Sequence, residues 1–133
     1  MKIEFLDDIS DSGRFPDADP NQLVRLYDFD HLQANILRQA IQKIILESNK
    51  EIDLTTLDFI KAVNCNLTLQ ISDTDKGITT AGNKTFVCNL TLKKYEEMVL
   101  LIEPFCNKEV TGYQWLYDLD TPIDFLFSPD GSW

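Results

Sequence analysis

The chain holds one histidine, His31, three cysteines, Cys65, Cys88 and Cys106, and twenty-two aspartates and glutamates. These residues could do chemistry, and their spacing limits which chemistry. A Ser-His-Asp or Cys-His nucleophile would have to use His31. Its place just after Asp30 puts it in the first turn of a helix, where the dipole disfavours an imidazolium; a surface role is expected. There is no Gly-x-Ser-x-Gly elbow, no Walker loop and no dinucleotide fingerprint. The cysteines are odd in number and lack Cys-x-x-Cys spacing, which argues against a disulfide framework and against a zinc site. They are expected to be reduced, with Cys65 and Cys88 neighbours on the core face of an antiparallel pair. No catalytic residue, metal ligand set or cofactor follows.

The carboxylates are the larger resource. Asp17, Asp19 and Asn21 take the first three alternating ligand positions of an EF-hand-like loop, and Asp28 falls at the twelfth. Gln22 stands where the sharp turn wants Gly, and Asp28 where a bidentate Glu should close the shell. Asp73-Thr-Asp75-Lys-Gly77 brings its Gly one residue early and lacks an acidic closing ligand. Both read as turn aspartates. Asp118-Leu-Asp120-Thr121 follows Trp-Leu-Tyr and resembles, over a few residues, the nucleophile motif of haloacid dehalogenase-type phosphatases. In that motif one residue separates the second Asp from Thr. Here Thr121 follows directly, and the thirteen residues after Asp120 leave no room for that family's remaining motifs. A hairpin turn explains the run.

Leu26-Tyr-Asp-Phe-Asp30 and Leu116-Tyr-Asp-Leu-Asp120 share four of five residues. If their strands were neighbours, Asp28, Asp30, Asp118 and Asp120 would gather into a carboxylate cluster able to hold a divalent ion. That is the basis of an alternative reading, a small carboxylate-dependent metal-binding enzyme. Caps and turns are the preferred explanation of all four.

Aromatic residues collect near the end of the chain: Tyr113, Trp115, Tyr117, Phe125, Phe127 and Trp133. Acid collects there too. Of a formal net charge of −10, residues 1–30 carry −5 and residues 95–133 carry −7, while 63–94 carry +2. This balance disfavours a nucleic-acid coat or an anionic-membrane binder. It suits a basic protein partner. Asp118, Asp120 and Asp124 would steer the encounter, and Tyr113, Trp115 and Tyr117 would supply buried area.

The elements that position these residues follow from periodicity. Lys2 to Leu6 and Leu23 to Phe29 read as strands, separated by a loop with Gly13, Pro16 and Pro20. Asp30 is an N-cap candidate for a helix from Leu32 to Leu46, whose Ile36, Leu37, Ala40, Ile41, Ile44 and Ile45 recur at helical spacing. Ile52 to Phe59 reads as a strand with a bulge. Val63 to Ile71 alternates strictly, and Thr85 to Leu90 is expected to return antiparallel to it. Thr91 can cap a second helix that Pro104 limits, with Leu92, Tyr95, Val99 and Ile102 inward. Tyr113 to Tyr117 and Ile123 to Phe127 make an aromatic hairpin, and Trp133 is expected to fold back as an anchor.

A chain of 133 residues that is 44% apolar suits one domain, residues 1–133. The element order predicts an α+β fold, a mostly antiparallel twisted sheet of about five to seven strands with two helices on one face. Acid meets the N-terminal run before a signal-peptide core develops, and the longest apolar run is Met98 to Ile102, so a cytoplasmic protein is expected. The functional expectation is a non-catalytic, acidic protein-interaction domain. In composition alone the chain resembles bacterial immunity proteins that neutralise basic toxins, which implies binding of a basic protein rather than catalysis.

Overall fold

The structure, a computed structural model, describes residues 1–7 and 22–133. The loop aspartates Asp17 and Asp19, with Asn21, lie outside the described residues. The described residues form an α+β fold with two helices and nine strands in two mixed sheets. The strands are β1 (Lys2–Leu6), β2 (Gln22–Tyr27), β3 (Ile52–Asp53), β4 (Lys61–Ala62), β5 (Asn66–Ile71), β6 (Gly77–Gly82), β7 (Thr85–Leu90), β8 (Gln114–Trp115) and β9 (Ile123–Phe127). One sheet runs β4-β1-β2-β9-β8 and the other β3-β5-β7-β6. Among the described residues four pairings are antiparallel and three, β1 with β4, β2 with β9 and β5 with β7, are parallel. One core spans both sheets and both helices.

The first helix, α1 (His31–Ala40), starts on a capping box. The Asp30 carboxylate accepts from Gln33 N at 2.8 Å, and the Gln33 side chain accepts from Asp30 N at 3.4 Å. It runs on as a π-helical stretch, Ile41–Glu47. Leu37, Ile41 and Ile45 are buried at successive four-residue steps. That spacing drifts around a 3.6-residue turn, and a wider turn keeps it on the core. The second helix, α2 (Leu92–Ile102), is capped by Thr91, whose Oγ1 accepts from Lys94 N at 3.3 Å. Asp75 in turn holds Thr91, accepting from its backbone N at 2.8 Å and its hydroxyl at 3.0 Å. The helices pack on each other, and Tyr95 of α2 donates to the carbonyls of Gln70 and Cys88, both at 2.8 Å.

The strand between Asp73 and Thr85 changes the expected pairing. β6 crosses to the far side of β7, so the chain reverses twice and β7 lies parallel to β5 rather than antiparallel. Cys88 is opposite Leu69, which leaves Cys65 four residues, about 13 Å, along the neighbouring strand. The two thiols are buried and free but are not neighbours. Ile52 to Phe59 is not one strand. Asp53 accepts from Thr55 N at 3.2 Å and Oγ1 at 3.0 Å, and this local bond winds Leu54–Thr56 into a 3₁₀ turn. Trp133, expected to fold back as an anchor, is 41% exposed and is not one of the buried core residues.

Burial pushes the Cys88 thiol up to about 12 and the Cys65 thiol up to about 11. Both should resist labelling in the native protein and react on unfolding. The unfolded chain loses these protons near pH 9 while the folded chain keeps them, so this contribution is complete below about pH 8.5 and falls as pH rises from 9 to about 11 for Cys65 and about 12 for Cys88. Urea midpoints at about pH 8 and pH 10.5 should therefore differ, and Cys88→Ala should shrink the difference. An undiminished difference in that variant would mean other groups cause it.

Candidate functional site

The six residues singled out for binding all lie between Tyr113 and Asp124, on or beside β8, and the structure sorts them into two groups. β8 is only two residues long, pairing Gln114 with Phe127 and Trp115 with Leu126, and one further bond runs from Leu116 N to Phe125 O at 2.8 Å. It forms an edge of the five-stranded sheet. Tyr113 is 47% exposed and Trp115 half-buried; their rings meet edge-on, 5.9 Å apart at 72°. Asp118 and Asp120 are exposed in the connection to β9, and Asp124 is half-buried at its start.

Tyr117 differs. It is 3% exposed, and its hydroxyl accepts from Ile78 N at 3.0 Å and donates to Ile123 O. The ring therefore ties β6 of one sheet to β9 of the other. Gly77 makes this possible: it sits at φ +73°, and a Cβ there would stand 3.1 Å from the Tyr117 ring. Burial raises the Tyr117 pKa, so the phenol stays a neutral donor. Tyr117 is a structural tie, not a surface contact, because a hydroxyl buried between two backbone groups has nothing left for a partner.

Trp115 and Tyr117 with Asp118 and Asp124 line one wall of a cavity of about 510 Å³. The opposite wall is α2, through Lys94, Glu97 and Leu101. Lys94 and Glu97 pair with each other at 3.1 Å, and across the cavity the Asp118 carboxylate is exposed. Sequence reasoning passed over this wall. Its signal was there in the spacing 94, 97, 101, one face of a helix.

The carboxylate cluster does not assemble. β2 runs parallel to β9, so Asp28 lies beyond the Phe127 end of β9, whereas Asp118 and Asp120 lie in the connection that enters β9 at Ile123. Asp28 pairs instead with Lys2 at 3.3 Å, and Asp30 caps α1. Among the described residues no group of three or more His, Cys, Asp and Glu side chains is placed to hold a metal. His31 is half-buried and occupied, its Nδ1 lying 2.5 Å from Glu109 Oε1. Hydrogen bonds from the His31 ring and backbone hold the Glu109 carboxyl below the usual range.

No family model matches this chain, nor does any curated protein. Among the described residues no helix is long and apolar enough to cross a membrane. What the chain does must therefore be argued from the geometry of the β8 edge.

Proposed function

We propose that the protein is a non-catalytic, acidic interaction domain that binds a basic protein through the β8 edge and the cavity between β8 and α2. The observation that carries this reading is the pairing of an exposed Tyr113 and a half-buried Trp115 with exposed Asp118 and Asp120 on the same edge. Aromatic area with an acidic rim is the composition of an interface, with rim charge setting the rate of encounter and the rings setting lifetime. Immunity-type neutralisation of a basic protein is its finer form. Three buried free thiols support work in a reducing compartment, the cytoplasm.

The test uses Trp115 as the reporter, in a Trp133→Phe background that leaves one of the two tryptophans. An arginine-rich peptide with a central Phe should shift Trp115 emission saturably. Asp118→Asn with Asp120→Asn should slow association by about tenfold at low salt and flatten its salt dependence. Tyr113→Ala should mainly raise the dissociation rate. Emission that ignores the peptide, or aspartate variants that bind as the parent does, would remove the site.

A further inference from the structure

Two sheets have four edges, and among the described residues three of them are closed by length alone: β3, β4 and β8 are two residues each. The fourth edge is β6, six residues reading Gly-Ile-Thr-Thr-Ala-Gly, with no charge and no proline. An edge strand offers a row of unpaired N–H and C=O groups, and proteins blunt such rows with short strands, charge or proline. β6 is not short and carries neither charge nor proline; its pairing with β7 shifts register between Thr80 and Gly82, past the residue whose N–H and C=O are free to pair. Its first two residues are covered, since Gly77 and Ile78 are buried and Ile78 N–H donates to the Tyr117 hydroxyl at 3.0 Å. That bond also sets the direction of the edge. Ile78 N–H faces away from β7, and the two-residue alternation of a strand turns the N–H and C=O of Thr80 the same way.

The rest of the strand is open. Thr79, Thr80, Ala81 and Gly82 are all exposed. Lys76 and Lys84 stand just outside its two ends, exposed and outside the ion pairs found among the described residues. They belong to the one stretch of the chain with net positive charge, residues 63–94 at +2. We propose that the open half of β6 accepts an extended segment of a partner protein, an uncharged stretch with acidic residues on either side. Backbone bonds at Thr80 would hold the added strand, and Lys76 and Lys84, which flank the two ends of a six-residue strand about 20 Å long, would select the charge of its ends. This surface has the opposite charge to the β8 edge and stands whether or not that edge binds a basic protein.

The probe is a fluorescent peptide of alternating Thr and Val with two Asp residues at each end, followed by anisotropy at about 0.15 M salt. A second probe carries Lys in place of Asp. The acidic probe should bind saturably and about tenfold or more tighter than the basic one. Thr80→Pro removes an N–H that faces away from β7, a position where a strand tolerates proline, so it should abolish binding and leave the melting curve in place. Should that variant unfold, Lys76→Glu with Lys84→Glu is the second check, and it should reverse the preference between probes. No saturable binding of the acidic probe, or binding indifferent to these changes, overturns the proposal. So does a concentration-dependent dimer that Thr80→Pro dissolves, because the edge would then belong to a second copy of this chain.

Discussion

Tyr117→Ala is expected to cost about 3–5 kcal/mol, the range for truncating a large buried ring. Small domains are stable by about 5–15 kcal/mol, so much of the fold's margin would go with it. The loss has two sources. The ring leaves a void between the sheets, and the hydroxyl that joined Ile78 N to Ile123 O disappears. Tyr117→Phe separates them: it keeps the ring and leaves the Ile78 donor buried without a partner, a cost of about 1–3 kcal/mol. Tyr113→Ala, four residues away and 47% exposed, should stay within about 0.5–1 kcal/mol. Urea unfolding of the three variants checks the ordering. Equal losses at Tyr113 and Tyr117 would mean that Tyr113 is core as well, and the proposed contact surface would lose its outer ring.

Phe127→Ala should be equally severe, at about 3–5 kcal/mol, for a different reason. Phe127 stacks on Phe29 with centroids 4.3 Å apart, and meets Phe105 edge-on at 5.2 Å. Phe29 leads into α1, and Phe105 closes the turn after α2, so one ring seats both helices on the five-stranded sheet. Aromatic pairs add about 0.5–1.5 kcal/mol beyond the area they bury, so Phe127→Leu should recover only part of the loss. Because Gln114 pairs with Phe127, the β8 edge should loosen too, and Trp115 emission should move toward its unfolded value before the global transition. A single coincident transition would show that the edge does not depend on this ring.

Much of the frame is legible in the residues. Asp30 with Gln33, and Thr91 before the Leu92 helix, are local signals, and each helix starts where its cap says. β5 is legible for the same reason: alternation over six residues needs no knowledge of its neighbours. What sequence could not supply is which strands meet. β6 has one inward apolar side chain, Ile78, between two glycines, too weak a pattern to mark as a strand, and its omission reversed the pairing of β5 with β7. The aromatic hairpin failed differently. Tyr113, Trp115 and Tyr117 alternate as a strand should, but the ladder reaches only Leu116, and the next ring turns inward to bind Ile78. Alternation describes one strand's two faces; it is blind to a tyrosine that serves a second sheet.

The arrangement of β1, β2 and β9 has a mechanical meaning. Lys2 is opposite Tyr27 and Phe127 opposite Leu26, so the start of β1 and the end of β9 lie at the same end of the sheet, about two strand spacings or ~10 Å apart. Tension drawn outward from those two points would not shear the strands along their length, where every rung resists together. It would open the ladder like a zip, one hydrogen bond after another, beginning beside the Arg25 guanidinium that grips Glu4 and the Gly131 carbonyl. Tension applied between the start of β1 and the end of β9 should therefore open this sheet at lower force than tension applied along its strands.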